Sequence, residues 1–213
     1  MGHIKPLLTL LTAIALPVLA QDQKPSTDSS KTSDKKPTDA EISAMMMEMA
    51  SPGENHKILQ TGAGTWSYTV KWWMSPEAPP SVSTGTTVTR AVMGGRYIVS
   101  EHTSKMQVPG ADGKLTEMEF KGMGVEGYDN VKKKFVASWI DNMGTGIMQM
   151  EGTYDPTAKT LTYVADYELL PGMKTKFKQV IKMADPNHRS MEFFQSSDGK
   201  EVKTMEINYS RKA

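Results

Sequence analysis

The run Lys134-Phe135-Val136-Ala137-Ser138-Trp139-Ile140-Asp141, then Asn142-Met143-Gly144-Thr145-Gly146, then Ile147-Met148-Gln149-Met150-Glu151-Gly152-Thr153-Tyr154-Asp155, decides the fold. Each flank alternates side chains with a period of two, and the middle is a cluster of turn formers, so the stretch reads strand, turn, strand. The texture extends both ways. Alternating runs stand at Thr65–Met74, Thr84–Val92, Arg96–Met106, Glu117–Asp129, Lys134–Asp141, Gly146–Tyr154, Thr160–Leu169, Lys174–Met183, Arg189–Gln195 and Val202–Arg211. Between them lie turn signals such as Gly94-Gly95, Asp129-Asn130, Asp155-Pro156, Asp185-Pro186-Asn187 and Asp198-Gly199. About ten short strands at hairpin spacing, with no helix between them, imply an antiparallel meander. An open sheet of that size leaves costly edges, and closure into a barrel removes them. The expected fold is all-β, a barrel of about ten antiparallel strands behind two short α-helices, with an open β-sandwich as the fallback.

The helix starts lie upstream. Thr38-Asp39-Ala40-Glu41 has a capping-box pattern, and Ser51-Pro52-Gly53-Glu54 reads as a second one with proline at the first helical position. The first helix sets Ile42, Met45, Met46 and Met49 on one apolar face, expected to pack on the barrel or cap its mouth. The second is expected to run to about Leu59 and stop at Gly62-Ala63-Gly64.

The chain begins with His3 and Lys5, then an apolar run from Leu7 to Ala20 and a polar switch at Gln21. This reads as a secretory signal peptide over 1–20, cleaved after Ala20, and a secreted or periplasmic protein. The run is shorter than the roughly 20 apolar residues of a membrane span, so no stable span is expected after cleavage. Residues 21–37 contain almost nothing to bury and read as a polar linker, leaving 38–213 as a single domain. With 0 Cys, the chain forms no disulfide in an oxidising compartment. A net charge of +1, with both signs interspersed, argues against a nucleic-acid partner.

Gly64-Thr65-Trp66 opens the first strand and Tyr209-Ser210-Arg211 ends the last. This pairing is similar to that of the calycin (lipocalin-like) superfamily. The resemblance implies a lipocalin-like barrel in which Gly64, Trp66 and Arg211 are structural, the indole plugging one end beneath the guanidinium. Residues from about Glu54 to Lys212 resemble the bacterial family called domain of unknown function fifteen seventy-nine. That match rests on Gly64-Thr65-Trp66, Gly85, Gly94-Gly95-Arg96, Gly127-Tyr128-Asp129-Asn130, Trp139-Ile140-Asp141, Met143-Gly144-Thr145-Gly146, Glu151-Gly152-Thr153, and Met205-Glu206-Ile207 with Tyr209 and Arg211. It implies the barrel and no agreed function.

A barrel of this size holds one small ligand against apolar walls with a few polar anchors. The candidate ligand-binding residues are Tyr68, Trp72, Trp139, Asp141, Glu151, Tyr163 and Tyr209, and the expected ligand is a small hydrophobic or amphipathic molecule. Asp141 doubles as an Asx-type turn former ahead of Met143 to Thr145. Glu151 is read onto the inward face, where a carboxylate must be paired, hydrated or raised in pKa, with Arg90, Arg96 or lysines as partners.

Three alternatives stand beside this reading. Asp141 and Glu151 form a carboxylate pair for acid–base work, although no nucleophile–base constellation accompanies them. Met45-Met46-Met47-Glu48-Met49 and Met148-Gln149-Met150, among 17 methionines, offer thioethers to Cu(I). Or the aromatic side chains fill the barrel, leaving a structural or protein-interaction role. His56, His102 and His188 lack metal-ligand spacing, so no metal, cofactor or catalytic residue is assigned.

Overall fold

The computed structural model describes residues 36–110, 112–168, 170–197 and 199–213. The leader expected over 1–20 and all of the linker but Lys36 and Pro37 lie outside the described residues.

Ten antiparallel strands close into a barrel in sequence order. They are β1 (Gly64–Trp72), β2 (Ser81–Val92), β3 (Tyr97–Pro109), β4 (Leu115–Asp129), β5 (Lys134–Asp141), β6 (Met148–Asp155), β7 (Thr160–Glu168), β8 (Lys174–Asp185), β9 (His188–Ser197) and β10 (Lys200–Arg211). β1 seals against β10 in a register running from Trp66 opposite Arg211 to Trp72 opposite Met205. This is the barrel expected from the alternation, and closure pairs every strand with two neighbours.

Carboxylates at strand ends fold several of the hairpins. Asp129 accepts from the backbone N–H groups of Val131 and Lys132, Asp155 from Thr157 and Ala158, and Asp185 from Asn187 and His188. In each case a short side chain supplies the acceptor that the reversing backbone needs. Asn142 acts differently from the turn former expected there. Its side chain bonds the backbone of Lys121 and Glu119, extending the β4–β5 seam by one step.

Two helices precede the barrel, α1 (Asp39–Ala50) and α2 (Glu54–Gln60). Thr38 and Glu41 form the expected capping box. The second box is corrected: Ser51 caps the C-terminus of α1, its hydroxyl donating to Met47 O at 2.8 Å. The proline that follows holds Ser51 extended (φ −86°, ψ 131°), which ends α1 and delays the next helix. α2 starts after Gly53, whose N–H donates to Nδ1 of buried His56 at 2.9 Å.

α1 buries no residue, and Met46 is 68% exposed. Its C-terminal end is held by Arg96, which donates to Ala50 O, and by Asn130, which donates to Met49 O and Ser51 O. Both residues belong to turns at the α2 end of the barrel, and the expected packing of the apolar face of α1 is corrected: Ile42, Met45, Met46 and Met49 stay exposed. α2 instead sends Leu59 into the barrel core beside Ile98. No helix among the described residues is long and apolar enough to cross a membrane.

Inside, glycines give aromatic rings room to lie flat on the wall. A Cβ at Gly85 would stand 2.4 Å from Tyr68 Cζ, one at Gly122 2.3 Å from Trp139 Cζ2, and one at Gly152 2.6 Å from Tyr163 Cδ1. Such rings pack along the wall, and the barrel axis stays open.

Candidate functional site

A cavity of about 1170 Å³ runs through the barrel, from Trp72 and Ser81 at one end to Thr61 and Gly62 beside α2. That is somewhat above the roughly 300–1,000 Å³ typical of small-molecule pockets. The interior is therefore not filled by its own side chains. Phe120, Trp139, Phe177, Phe193, Met191 and Ile207 supply apolar wall.

The strand faces follow the expected alternation on β1, β5 and β10. Trp66, Tyr68, Val70 and Trp72 face in, as do Ala137, Trp139 and Asp141 on β5, and Met205, Ile207, Tyr209 and Arg211 on β10. Glu206 faces out to Lys203 and Lys71, and a bulge lies nearby between Lys203 and Met205. Trp72 stands at the rim, 37% exposed.

β6 is turned the other way. Met148, Met150 and Tyr154 line the cavity, while Glu151 sits on the outer face paired with Lys134 and Lys132. The apolar side chains win the interior because burying them is favourable and burying a carboxylate is not. The hydrogen bond and charge of Lys134 hold the Glu151 carboxyl below its ordinary value. Neither suggested arginine reaches it: Arg90 pairs with Glu101, and Arg96 donates to Ala50 and Met93 carbonyls. Glu151 thus leaves the candidate site. The wall of the barrel also separates it from Asp141, and the carboxylate pair for acid–base work is not assembled.

Asp141 is held in place by two bonds. Oδ2 accepts from Trp139 Nε1 at 2.7 Å and Oδ1 from the Met143 N–H at 2.9 Å, so one carboxylate fixes both a cavity indole and the following turn. Asp141→Ala should lower stability by about 1–3 kcal/mol, the cost of orphaning these donors. Glu151→Gln should leave the urea midpoint where it is, since its ion pairs are solvent-screened. Equal losses in the two variants would contradict this assignment.

The methionines of the Cu(I) reading fall on separate elements. Met45, Met46, Met47 and Met49 are exposed on α1, whereas Met150 is buried in the barrel. Among the described residues, no three His, Asp or Glu side chains are grouped to hold a metal.

Tyr163 and Tyr209, which the sequence reading selects, are buried at 0% and 1% exposure, but it does not select Glu126, His102 or Arg189 beside them. Glu126 of β4 accepts from Tyr163 Oη at 2.9 Å. Burial raises its pKa, opposed by that hydrogen bond and by the charge of Arg189. Burial and the neighbouring Glu126 in turn raise the Tyr163 phenol well above its ordinary value. The buried Tyr209 phenol is likewise raised by burial. His102 of β3 lies within ring contact of Trp139 (5.2 Å between centroids), Tyr68 (5.8 Å) and Tyr209 (6.4 Å). Burial, then the charge of Arg189, pushes its pKa down to about 4, so the imidazole is neutral at physiological pH. His56 is buried in α2, and His188 is exposed beside Asp185.

At the α2 end, Arg211 lies over Trp66 with Cζ 4.2 Å from the ring, and Trp66 Nε1 donates to Gly62 O at 3.0 Å. Arg189 of β9 lies over the same indole at 4.5 Å and over Tyr209 at 4.7 Å. On the β2–β3 wall, the hydroxyls of Thr87 and Thr89 are buried and have no hydrogen-bond partner among the described residues.

Solved structures are similar to this chain, among them the following two. One is Rv2717c from M. tuberculosis, with TM-score 0.54, 15% identity, and coverage of 76% of this chain and 100% of that one. The other is the S-type phycobiliprotein lyase CPES from Guillardia theta, with TM-score 0.47, 10% identity, and coverage of 79% and 97%. At 15% identity the likeness to Rv2717c speaks to fold alone. No curated protein matches the chain. The model of the family described as "Protein of unknown function (DUF1579)" matches residues 51–211.

Proposed function

We propose, from the premise that this chain belongs to the DUF1579 family, that it is a non-catalytic binding protein for a small, partly apolar molecule held inside its barrel. The observation that carries this reading is the cavity of about 1170 Å³, walled by aromatic and aliphatic side chains with a few polar groups at depth. Apolar walls supply affinity roughly in proportion to the ligand area they remove from water, and sparse polar groups orient the ligand. Tyr68, Trp139, Tyr163 and Tyr209 are its contact residues, Trp72 stands at its entrance, and Asp141 positions Trp139. The Gly64-Thr65-Trp66 motif beneath Arg211 supports a place for the barrel in the calycin superfamily.

The protein acts outside the cytoplasm on this reading, delivered by the leader over 1–20 with cleavage after Ala20. N-terminal sequencing of protein recovered from its host should begin at Gln21; a mature chain that retains Met1 would remove export from the account.

Native mass spectrometry of host-purified protein tests the binding role. The expected spectrum contains a species heavier than the bare chain that loses the extra mass on denaturation. A bare chain at every collision energy, unaltered by incubation with a host lipid extract, would count against a carrier.

A further inference from the structure

Two guanidinium groups lie over the indole of Trp66, and the fold treats them differently. Arg211 engages all three of its nitrogens: Nε donates to Pro186 O at 2.9 Å, Nη1 to Ala63 O at 2.6 Å and Nη2 to Thr61 O at 3.0 Å. Arg189 is stacked on Trp66 and Tyr209, yet among the described residues no hydrogen bond or ion pair reaches it, and its Nε is buried without a partner. Stacking satisfies the face of a guanidinium and leaves the in-plane N–H groups free. An arginine carries five such donors and keeps its charge at any physiological pH.

Arg189 also lines the cavity, so an unsatisfied cation borders an apolar chamber. A charge in such surroundings is costly unless paired. The acids near it make no ion pair or hydrogen bond with it among the described residues, although the charge of Glu126 is felt there. Glu126 is engaged by Tyr163, and Asp185 is committed to the turn amides and His188. His102 is neutral. Arg189 and Arg211 bear on one ring, but only Arg189 is without any hydrogen bond among the described residues.

We propose that the cavity takes an amphipathic monoanion, a carboxylate on an apolar body, with the carboxylate on Arg189 and the apolar body lying along Trp139, Phe177 and Phe193 toward Trp72. This rests on the ligand-binding reading above and specifies the head group that reading leaves open. A planar carboxylate matches the guanidinium fork. One free cation beside the Glu126 carboxyl favours a single negative charge, because a dianion would bring uncompensated charge into the barrel. Thr89, with its orphaned hydroxyl on the wall at the same end, offers a further donor.

The test is a fluorescence titration with two probes, a dansyl-labelled undecanoic acid and its methyl ester. The wild type should bind both saturably and favour the acid on the order of tenfold to a hundredfold, as expected for hydrogen bonds to a charged group. Arg189→Gln should bring acid and ester to equal affinity, and saturable ester binding in the variant reports an intact barrel. Equal wild-type affinities for acid and ester would overturn the proposal and leave the ligand-binding reading standing. So would a preference for the acid that survives in Arg189→Gln. Binding of neither probe would defeat the proposal together with the reading beneath it. The wild-type ratio decides the matter even where Arg189→Gln fails to fold.

Discussion

Replacing Trp66 with alanine should cost about 3–5 kcal/mol of folding stability, the largest loss expected from a single substitution here. Trp66 is 2% exposed and carries three kinds of interaction. It fills the α2 end of the barrel, its Nε1 donates to Gly62 O, and its ring receives both Arg211 and Arg189. Alanine leaves a cavity beneath two cations that have lost their aromatic partner, and cation–π contacts add about 0.5–2 kcal/mol each. Against a typical total of about 5–15 kcal/mol, the variant is marginal. Trp72→Ala, at the half-open rim, should cost under about 1.5 kcal/mol because little of its surface is withdrawn from water. Urea unfolding followed by circular dichroism checks both. Similar midpoints for the two variants would remove the plug role from Trp66.

The second large effect is one of pH. His102 has a pKa of about 4 in the fold against an ordinary 6.5, so the unfolded chain takes up its proton before the folded chain does. Its contribution is fully present above about pH 6.5 and is lost as pH falls toward about 4. Between about pH 7.5 and 4.5, the loss amounts to about 2–3 kcal/mol. Glu126 works in the opposite sense, since a raised carboxyl favours the folded state at low pH and loses that advantage as pH rises. The difference between wild type and His102→Phe isolates the histidine, because Glu126 titrates in both. The wild type should lose those 2–3 kcal/mol relative to His102→Phe on acidification. Parallel pH profiles would show that His102 titrates as a solvated residue.

The fold was legible because each strand carries its own alternation and many of its turns end in Asp, whose side chain closes the reversal. Face choice was legible wherever a strand had a decisive anchor. Trp66 fixed β1, and Trp139 fixed β5. On β6 the reading favoured the chemically unusual Glu151, whereas the apolar set Met148, Met150 and Tyr154 takes the interior. The residue type that stood out chemically was the one the solvent kept.

Glu126 and Arg189 escaped for a different reason. Both are charged residues of ordinary appearance in sequence, and their depth depends on pairing across strands. Parity held the clue. From Phe120 onward, Glu126 shares a face of β4 with Phe120, Gly122, Gly124 and Tyr128, aromatic rings and glycines. Arg189 pairs with Tyr209, whose face was already fixed by Arg211. The helices were misjudged at Ser51 because a capping box is a local pattern, while the extended conformation imposed before Pro52 set the helix boundary.

The central claim, that the barrel interior is a ligand site, is tested most directly by titrating the neutral dansyl ester while exciting tryptophan, in wild type and in Trp139→Phe. The account predicts saturation at one probe per chain, with energy transfer from tryptophan that falls in Trp139→Phe while the stoichiometry holds. A probe signal that rises without saturation, or energy transfer indifferent to Trp139, would place the probe on the outer surface and contradict the claim.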